Sequence, residues 1–344
     1  MNIQILDPRT CSSWDEMLLR TPGASFFHSS AWARVLSESY GYTPLYFTVI
    51  ENGKLRALVP VMEVDSILTG KRGVSLPFTD YCEPIVDGEI QFQNLLDHII
   101  DYGKKRGWKY IEIRGGYSLL PSAPCLVTYF THTLDLQKGE EEISSILRDS
   151  TRRNIKKSKS QGVKAKISSD LEAMKEFYRL NCMTRREHGL PPQPYHFFQE
   201  VYDHIISKGF GFITLASRNG HNIAGSVFFH LGEIAIYKYG ASDKRYQEIR
   251  ANNLVVWEAI KWFCGEGFKS LCFGRTEPEN DGLRQFKRGW GTEEHPIHYF
   301  RYNLRQSAYL SGRQKGEPIY TGLFRATPAP VLNVIGSLLY KHMG

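Results

Sequence analysis

A segment near the end of the chain, GRTEPENDGLRQFKRGWG (274–291), is dense in charged, aromatic and glycine residues. It directly follows the apolar run SLCF, which predicts a buried strand, and open α/β sheets bind ligands in loops at the carboxyl ends of their strands. Lys287 lies between Phe286 and Trp290, where partial desolvation would hold an ammonium close to a reacting carbonyl. The alternative is a lysine whose aliphatic stem covers an aromatic ring.

A second concentration of charge lies in the segment 140–166, which begins acidic and ends basic. This order favours a helix, with Gly162 as its terminating residue. Paired arginines suit bidentate phosphate contacts, whereas a solvated helical face needs no function. The basic residues are Arg148, Arg152, Arg153, Lys156, Lys157, Lys159, Lys164 and Lys166, against Asp149 alone.

The start of an apolar helix predicted over 251–265 is a third candidate, for anion binding. Main-chain N–H groups at a helix N-terminus attract anions, and Arg250 would add positive charge. Asn252 would line this site, or would simply cap the helix. The sequence contains no Ser-His-Asp arrangement, P-loop or dinucleotide fingerprint. Its six cysteines and eleven histidines lack metal-ligand spacing, so we expect no metal and no tightly bound cofactor.

Two matching hairpins must position these residues. Strand-like runs surround Asn52-Gly53 in PLYFTVIENGKLRALVPVMEV, and again surround Asn219-Gly220 in GFITLASRNGHNIAGSVFFHL. Asn-Gly between two β-rich runs is a strong hairpin signal, because both residues accept the positive φ of a type I′ turn.

The elements after the two hairpins also match. The first hairpin is followed by a strand near 73–78, a helix near 90–106 and the strand YIEIRG. The second is followed by the strand IAIYKYG, the helix over 251–265 and the strand SLCFGR. This internal repeat predicts an α/β protein with mixed sheets, built from two domains related by duplication.

Bulk composition sets few limits on function. The net charge of +7 permits an anionic partner without requiring one. The start of the chain does not resemble a signal peptide, and the scattered cysteines suit a reducing cytoplasm, so we expect a cytoplasmic protein. The apolar stretch 331–340 is about half of a membrane span, and predicts a terminal helix that packs on the protein or on the inner membrane face.

Four segments carry a family resemblance: SFFHSSAWARVL (25–36), RRNIKKSKSQGV (152–163), YKYGASDKRYQEIRANNLVVWEAIKW (237–262) and FGRTEPENDGLRQFKRGWG (273–291). They resemble the Fem-type peptidyltransferases and their FemAB-like relatives, which consist of tandem GNAT-type domains. The resemblance covers most of 25–303 and is most specific in the later half.

The resemblance implies an activity and a set of residues. Fem proteins transfer an amino acid from aminoacyl-tRNA to an amine of a peptidoglycan precursor, and other FemAB-like proteins are associated with exported polysaccharide. In that family the pair matching Phe286 and Lys287 is implicated in catalysis, and the tyrosine matching Tyr239 lines the same cleft. By the same likeness, the acceptor would be held by Thr184, Arg185 and Arg186.

The chain departs from the family pattern at several positions. It lacks the coiled-coil arm of some Fem proteins, and Leu36 replaces a lysine thought to contact precursor phosphate. The segment RANN replaces the glycine-rich coenzyme A loop of GNAT enzymes, so Ala251 and Asn252 bring Cβ atoms where a pyrophosphate would approach the backbone.

We therefore expect an N-acyltransferase that moves an aminoacyl or acyl group to an amine of a cell-wall or exopolysaccharide precursor. The donor is aminoacyl-tRNA or acyl-CoA, and the alternatives are a coenzyme A-dependent GNAT N-acetyltransferase and a non-catalytic module that binds anions or nucleic acid. The expected domains are 1–139, 140–305 with the catalytic cleft, and a tail at 306–344. Substrate-binding residues are expected at Arg152, Arg153, Thr184, Arg185, Arg186, Arg250, Asn252 and Arg275.

Overall fold

The computed structural model describes residues 2–312, 324–325 and 327–344. Its strands, in chain order, are β1 (Gln4–Leu6), β2 (Thr43–Glu51), β3 (Lys54–Val64), β4 (Arg72–Val74), β5 (Tyr110–Arg114), β6 (Val127–Asp135), β7 (Lys164–Ser168), β8 (Gly211–Arg218), β9 (His221–Leu231), β10 (Ile234–Ser242), β11 (Ser270–Thr276), β12 (Glu293–Asn303) and β13 (Ala308–Tyr309). Its helices are α1 (Trp14–Leu19), α2 (Ser30–Tyr40), α3 (Glu89–Arg106), α4 (Gly139–Ile146), α5 (Asp149–Ser160), α6 (Leu171–Glu187), α7 (Tyr195–Val201), α8 (Ala251–Gly265), α9 (Asp281–Arg288) and α10 (Ala329–Met343).

These elements form two compact units. The described residues of unit 1 fall within Met1–Phe130, Pro296–Lys315 and Leu339–Gly344, and those of unit 2 fall within Thr131–His295 and Gly316–Leu338. The stretch 296–305, expected in the second domain, belongs to unit 1, because β12 pairs with β5 from Tyr299 opposite Arg114 to Asn303 opposite Tyr110.

Unit 1 contains a sheet in the order β1-β2-β3-β4-β5-β12. The predicted hairpin is confirmed: β2 and β3 are antiparallel, and Asn52 and Gly53 both have positive φ, of 51° and 71°. Helix α3 packs on this sheet through apolar residues spaced three and four apart, as expected of an amphipathic helix. These residues are Phe92, Leu95, Leu96, Ile99 and Ile100.

Unit 2 repeats this order as β7-β8-β9-β10-β11, with β6 beside β11. The second hairpin is confirmed as well, with φ of 50° at Asn219 and 78° at Gly220. Helix α8 connects β10 to β11, which run parallel as in a crossover unit. The predicted internal duplication is therefore confirmed. Because α8 is apolar almost all round, it is nearly buried from Leu254 to Ile260.

Two predictions about unit 2 were wrong. The segment 140–166 is not one helix, because the chain is extended at Leu147 and Arg148, where the side chain of Leu147 is buried and the Arg148 N–H donates to the Gly289 carbonyl. Its last residues form the strand β7. The segment 274–291 is not a loop throughout, because α9 occupies its middle, with the Asn280 side chain capping the helix at the Leu283 N–H.

Within the residues that the structure describes, no helix is long and apolar enough to cross a bilayer.

Candidate functional site

Strands β10 and β11 separate before either of them ends. Their parallel pairing covers Ile234–Ile236 opposite Ser270–Cys272, whereas β10 continues to Ser242 and β11 to Thr276. Gly274 has a φ of 66°, which turns β11 at the point where the two strands part. The sheet of unit 2 therefore opens at the carboxyl ends of these strands, where α/β folds usually place their sites.

A β-bulge in β10 adjoins this opening. Tyr237 lies opposite Phe228 of β9 and Tyr239 lies opposite Val227, so Lys238 is the extra residue. The bulge sends the two tyrosines to opposite faces of the sheet, because one residue of slip reverses side-chain direction. Tyr237 packs against Phe228 and Phe273.

Tyr239 lies on the other face, in an aromatic cluster. Its ring centroid is 5.5 Å from that of Phe198 on α7, 6.3 Å from Phe197 and 6.5 Å from Phe177 on α6. Three aromatic rings thus fix the direction of Tyr239 beside the opening.

A small cavity lies at the start of α8. It has a volume of about 130 Å³. Arg250, Asn252 and Phe286, three of the predicted residues, line it together with residues that the sequence did not indicate. Those further lining residues are Ile223, Ser242, Asp243, Tyr246 and Gln247, and the lining is completed by Ala251 and Asn253 of the expected helix start.

Neither Arg250 nor Asn252 caps α8 with its side chain. Arg250 stands at the cap position with a left-handed φ of 62°, and its side chain caps no N–H group of α8. Asn252 lies in the first turn and donates from Nδ2 to the Ser242 hydroxyl at 3.2 Å. Interpreting Asn252 as the capping residue was therefore wrong. Two Cβ-bearing residues, Ala251 and Asn252, line the cavity where a glycine-rich loop would leave space.

A second cavity of about 220 Å³ shares Ser242 and Gln247 with the first. Thr184, a third predicted residue, lines it and fixes the end of β10. Its hydroxyl accepts from the Ser242 N–H at 2.9 Å and is 3.1 Å from the Ser242 carbonyl, to which it donates. Ser242 is therefore the point where the two cavities meet.

A third, open cavity of about 560 Å³ shares Asp243 and Tyr246 with the first. Its arginines are engaged by carboxylates: Arg245 pairs with Asp243 at 2.6 Å, and Arg179 with Glu176 at 3.1 Å. Among the described contacts around these cavities, none pairs Arg250 with a carboxylate.

Lys287 is buried, with 2% of its surface exposed, and its ammonium faces the main chain. Nζ donates to the carbonyls of Gly274 at 2.9 Å and Arg275 at 3.0 Å. The lysine thus holds the end of β11 immediately beyond the separation from β10. Phe286 packs edge-on against Trp290, with 6.0 Å between ring centroids, while it lines the cavity at α8.

A buried polar group lies near Lys287. His132 is fully buried, and its Nε2 lies 2.8 Å from a carboxylate oxygen of Glu294. Hydrogen bonds from Arg284, and also from Arg288, lower the pKa of Glu294 to about 2. Burial, followed by the repulsion of Lys287, lowers the pKa of His132 to about 4.

This shift predicts a pH-dependent stability. Folding lowers the pKa of His132 from 6.5 to about 4, so the folded state favours the neutral imidazole. The contribution of His132 to the free energy of unfolding is therefore complete above pH 6.5 and is lost as the pH falls towards 4. We expect a cost of the order of 1 kcal/mol per pH unit in that window. Urea unfolding at pH 7 and pH 5 should show a smaller loss of stability in His132→Gln than in the unchanged protein.

The exposed His98 provides the control, because His98→Gln should keep the pH dependence of the unchanged protein. If His132→Gln and the unchanged protein lose equal stability between the two pH values, the assignment to His132 is wrong.

The remaining predicted residues lie elsewhere in unit 2. Arg152 folds back along α5, donating to the Ser145 carbonyl at 3.1 Å and pairing with Asp149, whereas Arg153 is exposed. Arg185 donates to the Pro191 carbonyl at 3.3 Å, and Arg186 donates to the Arg325 carbonyl at 3.4 Å.

The structure therefore brings Thr184, Arg250, Asn252 and Phe286 to adjoining cavities. Neither Tyr239, Lys287 nor Arg275 lines those three cavities. Sequence reasoning missed Ser242, Asp243 and Gln247. Their position between a predicted strand and the start of the apolar helix was the available signal.

Comparisons with known proteins agree with this geometry. The family described as an acetyltransferase (GNAT) domain matches residues 146–288. A lipid II:glycine glycyltransferase of Staphylococcus haemolyticus (strain JCSC1435) is 35% identical over 98 residues, which cover 26% of this chain and only 23% of that protein. The match thus spans about a quarter of the length of this curated relative.

Solved structures are similar over most of the chain. The crystal structure of FemX has a TM-score of 0.70 at 15% identity, covering 89% of this chain and 98% of FemX. A tandem GNAT protein from the clavulanic acid biosynthesis pathway has a TM-score of 0.59 at 10% identity, covering 88% of this chain and 98% of that one. The fold and the opening between β10 and β11 define a protein with two tandem GNAT-like units. Within that class, the predicted likeness to the FemAB-like family is confirmed.

Proposed function

We propose that the chain is a FemAB-like N-acyltransferase, which moves an aminoacyl or acyl group to an amine of a cell-wall or exopolysaccharide precursor. The observation that carries this proposal is the opening between β10 and β11, with a cavity at the start of α8. The GNAT match over 146–288 and the name of the staphylococcal relative, which acts on lipid II, support it.

The proposed reaction is direct attack of a neutral amine on an activated ester or thioester. The amine nitrogen forms a bond to the carbonyl carbon, and the carbonyl π electrons move to oxygen. Collapse of this intermediate breaks the C–O bond to tRNA or the C–S bond to coenzyme A, and the leaving group takes the bonding electrons. The proton lost by the amine passes to the leaving group, with Tyr239 as the proposed relay.

Positioning of the two reactants supplies most of the rate gain in this mechanism. The cavity at α8 is lined by Ala251 and Asn252, whose main-chain N–H groups stand at the helix start, where no intrahelical carbonyl is available to them, whereas the Asn253 N–H already donates to the Arg250 carbonyl. Such groups stabilise negative charge on the donor or on the oxyanion.

We assign Lys287 a role that follows from its contacts. Its ammonium binds the carbonyls of Gly274 and Arg275, so it fixes the wall of the opening formed by β11. It also leaves a positive charge directly behind that wall. A buried charge interacts more strongly with other charges than a charge in water does, because its surroundings screen it less.

Two observations favour aminoacyl-tRNA over acyl-CoA as the donor. Ala251 and Asn252 line the cavity with Cβ atoms where a coenzyme A pyrophosphate would approach. On α5, Arg153, Lys156 and Lys157 are exposed and could contact an RNA backbone. The GNAT match keeps an acyl-CoA-dependent N-acetyltransferase as the second candidate.

The test supplies each donor separately. The purified protein is incubated with charged tRNA or with acyl-CoA in the presence of amine-bearing precursors, and products are weighed by mass spectrometry. We expect aminoacyl products from charged tRNA. If acyl-CoA gives products and charged tRNA gives none, the donor is acyl-CoA and not aminoacyl-tRNA. If neither donor reacts while tRNA binding falls steeply with salt and depends on Arg153, the chain is a non-catalytic binding module.

The charge of Arg250 should contribute to donor binding. Arg250→Gly removes a guanidinium from the cavity at α8 and also relieves its left-handed φ of 62°. Because a hydrogen bond to a charged group contributes about 1.5–3 kcal/mol, we expect the KM for the donor to rise at least about tenfold without loss of thermal stability.

Lys175→Ala is the control, since Lys175 is exposed on α6, pairs with Glu172 at 2.6 Å and lines none of the three cavities, and its donor KM should stay within about twofold of the original. An unchanged KM in Arg250→Gly would exclude Arg250 from the donor site.

A peripheral membrane contact through the tail belongs to the same proposal. On α10, Val331, Val334 and Leu338 are exposed and recur three and four residues apart. One face of the helix is therefore apolar and open to solvent, which is typical of helices that lie on a bilayer surface.

A further inference from the structure

Two large apolar side chains are exposed side by side in the loop between β3 and β4. Ile67 is 97% exposed and Leu68 is 65% exposed. They occupy the middle of a turn, where glycine, proline, asparagine, aspartate and serine are the usual residues. Single exposed apolar residues are common, but this adjacent pair lies at the tip of an ordered turn.

The turn cannot easily fold these side chains away. The Ser66 carbonyl accepts from the Gly70 N–H at 2.7 Å, and the Ser66 hydroxyl accepts from the Thr69 N–H at 3.0 Å. Lys109 donates from Nζ to the Thr69 carbonyl at 2.9 Å. These bonds fix the loop in the conformation that presents Ile67 and Leu68 to solvent.

The end of α10 contacts the same loop within unit 1. The Ser66 hydroxyl lies 2.9 Å from Nδ1 of His342, and the Thr69 hydroxyl donates to the His342 carbonyl at 3.2 Å. The next residue, Met343, is 61% exposed. Ile67, Leu68 and Met343 together form what we call the apolar tip.

Basic residues surround the apolar tip. Lys71 follows the loop and pairs with Asp65 at 2.9 Å, while Arg106, at the end of α3, pairs with Glu63 at 2.7 Å. Lys109 donates to the loop itself at Thr69, and Lys341 immediately precedes His342. We call Lys71, Arg106, Lys109 and Lys341 the basic rim.

We propose that the apolar tip and its basic rim dock on an anionic bilayer. The tip enters the headgroup region, where apolar side chains leave water, and the rim contacts lipid phosphates. This inference rests on the proposed function only in that docking of unit 1 on a bilayer would bring the enzyme to a lipid-linked acceptor.

The test measures binding of the full chain to vesicles by co-sedimentation. Vesicles of phosphatidylglycerol and phosphatidylcholine should bind the protein, less so as salt increases, and vesicles of phosphatidylcholine alone should bind it weakly. The double change Ile67→Ser with Leu68→Ser should weaken binding at least about tenfold, because two apolar side chains no longer leave water.

Ile90→Ser is the matched control. Ile90 is 84% exposed in unit 1, but it lies in the first turn of α3, about 20 Å along the helix from the basic residues at its other end. This variant should bind vesicles as the unchanged protein does. Equal binding by the double variant, or an equal loss in Ile90→Ser, would overturn the proposal.

Two further measurements separate the possible failures. If the double change alters the oligomeric state in sedimentation but not vesicle binding, the surface is a contact between copies and the proposal is wrong. Transfer to a soluble amine acceptor without vesicles should be unchanged in the double variant. Absence of transfer by the unchanged protein would contradict the proposed function, yet it would leave the vesicle result intact.

Discussion

Lys287→Met is expected to lower the rate of acyl transfer about hundredfold, because a shift of about 1 Å in a group that positions the reactants can cost about 10²-fold. The substitution keeps the unbranched apolar stem, one atom shorter, but removes the ammonium that binds the Gly274 and Arg275 carbonyls. The wall of the opening formed by β11 then loses both its anchor and its positive charge. Single-turnover transfer with the preferred donor measures the effect.

The same change should lower stability, because two buried carbonyls lose a donor at a cost of about 1–3 kcal/mol each. Circular dichroism must therefore show that the variant is folded at the assay temperature. Lys269→Met is the control, since Lys269 is exposed at the other end of β11 and pairs with Glu233 at 2.5 Å. Transfer by Lys287→Met within threefold of the unchanged protein would remove Lys287 from the mechanism.

Tyr239→Phe is expected to cost about hundredfold in transfer rate, as removal of a proton-relaying group usually costs between 10² and 10⁴. The ring remains and can keep its contacts with Phe197 and Phe198. We therefore expect the melting temperature to change by only a few degrees.

Tyr237→Phe is a closely matched control, because it makes the same change two residues away on the opposite face. Tyr237 is partly buried. Burial of its hydroxyl raises the pKa, and a hydrogen bond with Ser226 opposes this effect. This variant should lose about 1 kcal/mol of stability and retain transfer. If both variants transfer equally, the hydroxyl of Tyr239 has no role in the reaction.

The parts of the fold that local chemistry determines could be predicted from the sequence. Asn-Gly pairs form hairpins because both residues accept positive φ, and this holds at Asn52 and at Asn219. The apolar run of α8 requires burial, and the helix begins and ends where expected, at Ala251 and Gly265.

Predictions that depend on distant residues failed or missed details. The break at Leu147 and Arg148 follows from a bond to Gly289, far away in the sequence. Regular alternation along β10 would place Tyr237 and Tyr239 on one face, and the bulge opposite Phe228 and Val227, which the sequence does not mark, puts them on opposite faces. The aromatic neighbours of Lys287 predicted its partial desolvation. Nothing in the sequence predicted that its ammonium would bind two main-chain carbonyls.

Around the site, single residues were easier to predict than their arrangement. Thr184 and Asn252 come from distant segments, and both bind Ser242. The only sequence signal for Ser242 is its position between a predicted strand and the apolar helix, because its importance comes from the end of a strand. Pairing across a sheet determines which positions meet there.

The position of β12 in the sheet of unit 1 has a consequence for how the chain folds during synthesis. β5 ends at Arg114, but its partner strand occupies Glu293–Asn303. A ribosome must therefore add almost two hundred further residues before that edge of β5 is covered. Until then the nascent chain exposes an unpaired strand, which is prone to aggregation. Completion of unit 1 is thus a late event, and contacts so distant in sequence are expected to form slowly.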